Sequence, residues 1–462
     1  MKKGISINTI VEILSKVINF TLTMIISRAY GPHVLGIVAS AQAIGGYIAL
    51  FGDFGTNNEA IRTIAQDKNK VSKVFTFILM YRTIFFTAVL MVLFFLTYLG
   101  YVNNWIIILF VIVTFLTMLS PNSIFMGLSL FQYNGYVNLI ASLTSFSLFF
   151  LFFIFFDDVI FYPISLLIGY FVSLLVGYSI YFRKIGTIER VNLNEFIRFL
   201  KTSLILGITI TFARIYYDFD IIMLNMLTNN ATVGLYASSF KVIQILWFLP
   251  QLYVMYALPY TSKLVKEDID KLRSYVTKAC SYVFVIIYPI FLIAFLYSGD
   301  VLLLLFGEEY KAAERVLSVL LIGFVFMSTK TIFGNLLIAL KEEKILVRLS
   351  IVASFFNIFF NMILIPYIGA LGAAISTLLT EFGLMVLECY FIKKKINFHI
   401  PWFTFMKVCL VLIILYVILR SFSIGMWMGL PTIMISYIIL LYVMKEKVME
   451  EILQLIKRLF MR

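Results

Sequence analysis

Apolar runs of 18 or more residues recur from one end of the chain to the other, broken by short stretches that hold most of its charge. A run of that length crosses the roughly 30 Å hydrocarbon core of a bilayer as a helix. The pattern predicts about fourteen such helices, at 5–29, 34–52, 75–99, 105–127, 136–156, 160–182, 204–228, 234–258, 277–298, 312–336, 345–366, 370–392, 402–420 and 425–444. A membrane β-barrel would instead show alternating segments of ~10 residues. The first run reaches Ile26, longer than the apolar region of about 7–15 residues in a signal peptide, and has no small-x-small cleavage site. It reads as an uncleaved first span. From Lys445 to Arg462, Val448, Ile452, Leu455, Ile456 and Leu459 share one face, as in a helix lying on the membrane surface; a solvated tail is the alternative.

Composition agrees. The 462 residues are 62% apolar and 13% charged, where a soluble domain carries about 25% charge. A net charge of +13 would suggest nucleic acid in a soluble protein. Here most Lys and Arg fall in alternate connections, such as Arg62 to Lys73, Arg183 to Lys201 and Lys393 to Lys395, while 100–104, 157–159, 229–233 and 367–369 hold none. Under the positive-inside rule this predicts both termini in the cytoplasm and an even number of spans. No nucleic-acid partner is expected.

Enzymatic chemistry lacks its parts. There is no GxxxxGK[ST] phosphate loop. Cys280, Cys389 and Cys409 lie in apolar segments without metal spacing, and His33 and His399 sit at span ends. They read as packing and loop-edge residues. Asp218-Phe219-Asp220 resembles a metal-binding DxD, but on a helix residues two apart point about 200° away from each other. No metal, cofactor or catalytic residue is expected.

Ionisable residues inside spans cost roughly 2.5–3.5 kcal/mol each on insertion scales and usually face an interior cavity. Glu12, Lys16, Asn19, Thr23 and Ser27 form one polar stripe on the first span. Gly207, Thr211, Arg214, Asp218 and Asn225 do so on the seventh. A weak internal repeat relates the two regions: Gly36-Ile-Val-Ala39-Ser40 returns as Gly234-Leu-Tyr-Ala237-Ser238, 198 positions later. The same offset carries Lys16 onto Arg214. Two cations at equivalent depth in two similar halves would attract an anionic group such as a phosphate. Simple i,i+4 pairing, Glu12 with Lys16 and Arg214 with Asp218, is the competing explanation. Arg28, Arg82, Lys241 and Lys330 are further cationic candidates, with snorkelling to the interface the alternative for Arg28 and Lys241. Asp220 and Glu381 are the acids placed to couple transport to an ion, with helix–helix hydrogen bonding the alternative.

Ser27-Arg28-Ala-Tyr30-Gly31-Pro32, Gly52-Asp53-Phe54-Gly55 and Ala60-Ile61-Arg62 resemble the amino-terminal signature of Wzx-like polysaccharide flippases. These belong to the multidrug/oligosaccharidyl-lipid/polysaccharide exporter superfamily. Asp220 to Leu224, Val233 to Tyr236, Pro259, Ser262, Asn361, Ile365-Pro366, Gly369 to Ser376 and Thr380-Glu381 continue the likeness in order. The glycine-rich segments Gly31-Pro32 and Gly369 to Gly372 also suit tight turns and close helix packing.

The resemblance implies an all-α, polytopic, V-shaped fold around a central cavity. One six-helix bundle would occupy 1–200 and a second 201–395, with two extra helices and the tail over 396–462. It implies export of undecaprenyl-diphosphate-linked repeat units across the bacterial cytoplasmic membrane by alternating access, for O-antigen, capsule or teichoic-type polymers. Lys16, Arg28, Arg82, Arg214 and Lys241 would then meet the substrate, and polysaccharide polymerase and chain-length proteins would be partners. A drug/cation antiporter of the same superfamily, a lipid II flippase and a membrane glycan polymerase are the alternatives. The first favours acidic cavity residues, and the last needs a sizeable outer loop that is not present.

Overall fold

The computed structural model describes the backbone of residues 2–100, 104–422 and 424–460, and side chains there except at 2–10, 205–206, 208–218, 255–256 and 455–460. The chain runs through seventeen α-helices among the described residues. They are α1 (Lys2–Asp53), α2 (Thr56–Gln66), α3 (Val71–Tyr98), α4 (Trp105–Leu119), α5 (Asn122–Gly127), α6 (Phe131–Phe155), α7 (Phe161–Lys184) and α8 (Leu193–Leu227). There follow α9 (Asn230–Leu246), α10 (Phe248–Glu267), α11 (Ile269–Leu296), α12 (Ser298–Phe306) and α13 (Glu314–Ala339). The last are α14 (Glu343–Ile396), α15 (Trp402–Ser421), α16 (Met426–Val443) and α17 (Lys447–Phe460).

Among the described residues they form eleven stretches long and apolar enough to cross a membrane, α4 continuing into α5 and α9 into α10. The count falls short of the fourteen expected at three places. Spans expected at 5–29 and 34–52 are joined in α1, and those at 345–366 and 370–392 in α14. The span expected at 204–228 falls in α8, where the side chains of 208–218 lie outside the described residues.

Both long helices are broken at the expected glycines. Gly31 takes φ 72° ahead of Pro32, and Gly369 takes φ 53°, values that cost a residue with a Cβ more than they cost glycine. In α14 the break is a hairpin. Ser376 Oγ donates to the Asn357 carbonyl at 2.9 Å, whereas nineteen residues of straight helix would separate them by about 28 Å. A Cβ on Gly372 would stand 2.6 Å from the Leu364 carbonyl carbon, so the close turn requires glycine there.

The chain divides into two compact units, Met1–Gly234 and Leu235–Arg462. The first runs past residue 200 because α8 packs on α1 and α2. Its cores gather Leu22, Ile26, Val38, Phe110 and Phe149, and separately Ile64, Phe75, Phe77, Ile78 and Tyr181. Gly169 of α7 lies against Ser145 of α6, the small-residue contact that lets helix backbones approach where lipid gives no hydrophobic drive.

The second unit packs α13 against α10, α11 and α14, and α11 against α15, α16 and α17. The tail forms the expected amphipathic helix, but Val448 and Met449 are buried in this unit's own core. Glu451 accepts from Lys278 at 2.9 Å and from Tyr282 at 2.8 Å, which fastens α17 to α11. Leu455, Ile456 and Leu459 of the expected face lie outside the described side chains.

Candidate substrate and coupling site

The polar stripe of the first span divides in two. Glu12, Lys16 and Asn19 are exposed, whereas Thr23 and Ser27 are buried. Thr23 Oγ1 donates to the Asn19 carbonyl at 3.0 Å and Ser27 Oγ to the Thr23 carbonyl at 2.6 Å. Hydroxyls satisfied by the helix's own carbonyls need no cavity, which is why the inner part of the stripe can bury itself. Arg28 is exposed just before the Gly31 break, about 18 Å along the axis from Lys16. Lys241 is half-buried on α9 and Asp220 is buried near the end of α8. The side chains of Arg214 and Asp218 lie outside the described residues.

Arg82 is in a different setting from the exposed cations. It is 2% exposed, and its guanidinium is engaged by the protein itself. It donates to Asn57 Oδ1 at 2.9 Å, Asp53 Oδ1 at 3.3 Å, Thr56 Oγ1 at 3.4 Å and the Met118 carbonyl. Asp53 in turn accepts from Thr56 Oγ1 and the Asn57 amide, both at 2.9 Å. The cluster therefore braces the corner between α1 and α2 against α3 and α4. An ion pair 29 positions apart in sequence leaves no periodic signal, so the sequence shows two isolated charges where the fold makes one network.

In the second unit, Lys330 and Glu381 meet. Lys330 Nζ of α13 lies 2.7 Å from Glu381 Oε2 of α14, with both side chains below 10% exposed. Glu388, two turns further along α14, is also buried and turns toward α13, where a Cβ on Gly334 would stand 3.3 Å from its Oε2. Sequence reasoning missed Glu388. The available signal was its spacing of seven from Glu381, which places both on one helix face.

The repeat glycines cross one another. A Cβ on Gly36 would lie 1.8 Å from the Asn230 carbonyl oxygen and one on Gly234 would lie 1.9 Å from the Pro32 carbonyl oxygen. The contact is reciprocal, each glycine meeting the residue four before the other. A second pair behaves alike: Gly55 abuts Ser203 and Gly207, while Gly207 abuts Phe54 and Gly55.

A family described as "Polysaccharide biosynthesis protein" matches residues 1–265. The chain belongs to this family. Among its relatives are a Haloferax volcanii protein named "Probable low-salt glycan biosynthesis flippase Agl15", 23% identical, and a Staphylococcus aureus capsular polysaccharide biosynthesis protein, 26% identical. The matches span 39% and 37% of this chain and 39% and 44% of those relatives, less than half of their length in each case. The fold is that of a lipid II flippase structure in an inward closed conformation, with a TM-score of 0.76 at 15% identity over 95% of this chain and 98% of that one. This polysaccharide-biosynthesis chain is therefore a multi-pass membrane protein, helical throughout its described residues, with the fold of that flippase structure.

Proposed function

We propose that the chain moves lipid-linked oligosaccharide repeat units across the bacterial cytoplasmic membrane by alternating access, for the assembly of a surface polysaccharide. One observation carries this most. The family is one of polysaccharide biosynthesis, yet among the described residues the longest connection between helices runs only from 185 to 192. Such a chain handles its substrate within the bilayer and leaves sugar transfer to other proteins. The relative named as a glycan flippase supports the same reading. The likeness to a lipid II flippase makes that diphosphate lipid the next reading, separable by which lipid-linked species accumulates when the protein is lost.

Lys16, Arg28, Arg214 and Lys241 are the cations proposed to draw in the diphosphate, with Arg82 holding the α1–α2 corner in place. Asp220 and Glu381 are proposed for ion coupling. The binding role can be separated from simple pairing with two neutral doubles, Glu12→Gln with Lys16→Gln, and Arg214→Gln with Asp218→Asn. Each removes a cation without leaving its carboxylate alone, so neither should be destabilised by an unpaired charge. Both should reach the membrane in normal amount and fail to export polysaccharide. Normal export by both doubles refutes the binding role.

The charge bias supports both termini in the cytoplasm. In a cysteine-free background, Ala231→Cys should then react with an impermeant thiol reagent added outside, and Arg190→Cys should not. The reverse pattern overturns the orientation.

A further inference from the structure

Glu388 has no part in the substrate path above, yet it is one of the buried acids of the second unit. Its side chain is 5% exposed, and its Oε2 has no hydrogen-bond partner among the described residues. Met385 and Ile392, one turn to either side on the same face of α14, belong to the apolar core, and Gly334 of α13 stands across from the carboxyl. The titratable groups that face it are Lys330 from α13 and Glu381 from its own helix, with Cys389 beside it in sequence; Leu346 of the first leg of α14 comes to the same Gly334. Gly334, one turn after Lys330, leaves the room into which the carboxyl reaches.

This cluster holds two carboxylic acids and one ammonium. The 2.7 Å contact assigns the ammonium to Glu381. Were Glu388 also ionised, a net negative charge would sit in apolar surroundings with no second cation beside it among the described residues, an arrangement that proteins avoid by keeping the group neutral. Glu388 also lies closer than Glu381 to the end of α14 that carries Lys393, Lys394 and Lys395, about 7 Å along the axis from Lys393. Glu388 is therefore the nearer of the two acids to the exposed lysines, and Lys330 stands close to both carboxylates.

We propose that Glu388 is a proton-carrying group, un-ionised while Lys330 is paired with Glu381, and that its proton is taken up and released in each transport cycle. In release, the O–H bond of the acid breaks, the proton passes to water at the Lys393 end, and the carboxylate left behind takes Lys330 as its partner, while Glu381, now without the ammonium, takes up a proton from water, so that one acid of the pair is neutral in either state. Nothing is oxidised or reduced. The coupling part rests on the transport reading above; the protonation does not.

Infrared spectra of the purified protein in lipid nanodiscs, taken across a pH titration, distinguish an un-ionised carboxyl from a carboxylate. At neutral pH the wild type should show the carbonyl band of a buried acid. The band should vanish in Glu388→Gln and persist in Glu267→Gln, a change at an exposed acid. Glu388→Gln has the shape of the neutral acid and should fold; Glu388→Asp should shift the band rather than remove it. Lys330→Met should add a second band, because Glu381 then loses its cation. A spectrum unchanged by Glu388→Gln, or no added band in Lys330→Met, overturns the protonation. In cells, Glu388→Gln should remove the dependence of export on external pH, and a wild-type pH profile in that variant overturns the coupling. Failure of the transport reading shows separately, as a gene deletion without effect on surface polysaccharide, and leaves the infrared result standing.

Discussion

Alanine at Gly36 or at Gly234 should each destabilise the protein by about 1–3 kcal/mol, the range for a methyl forced into close-packed surroundings. The added carbon meets backbone, not a side chain that can swing away: the Asn230 carbonyl in one case and the Pro32 carbonyl in the other. The two helices must therefore move apart, and once they have done so the second methyl meets no new obstacle. The double variant should cost clearly less than the two singles together, the non-additivity expected of residues in direct contact. Gly46→Ala and Gly383→Ala serve as controls, since a Cβ at either meets nothing within 4 Å. These should gain stability, up to about 1 kcal/mol, from the better helix propensity of alanine. Thermal unfolding of the purified variants in detergent checks all five. Additive losses at Gly36 and Gly234, or losses of equal size at the controls, contradict the crossing.

That crossing was partly legible before the fold was known. The echo of Gly36-Ile-Val-Ala39-Ser40 at Gly234 marked equivalent positions, although nothing in the repeat says that equivalent glycines touch each other. The spans were legible because each needs about 20 apolar residues, and the breaks because Gly31-Pro32 and Gly369 are poor continuations of a helix.

The polar interior was much less legible. The stripe from Glu12 to Ser27 has the spacing of a single face, yet spacing does not say whether a hydroxyl faces a cavity or bonds back to the preceding turn, as Thr23 and Ser27 do. The partners of Arg82 come from α1, α2 and α4, and Lys330 finds Glu381 on the next helix. Those pairings are products of tertiary packing, which hydropathy and helical period do not encode. The amphipathic tail shows the same limit: its apolar face is plain in the sequence, but the choice between lipid and the protein's own core, made at Val448 and Met449, is not.

Translocation across a sealed bilayer should be all-or-none. Purified protein would be reconstituted into sealed vesicles containing a polyprenyl-diphosphate oligosaccharide in both leaflets, with an impermeant glycosidase outside. Without protein, only the outer-leaflet glycans should be cleaved, because a charged diphosphate and its sugars do not cross a hydrocarbon core unaided. With the protein present, cleavage should run on to the inner-leaflet pool, with no sugar transferred or polymerised. An inner pool that stays protected in vesicles holding folded protein, or formation of longer glycans by the protein alone, would contradict the account.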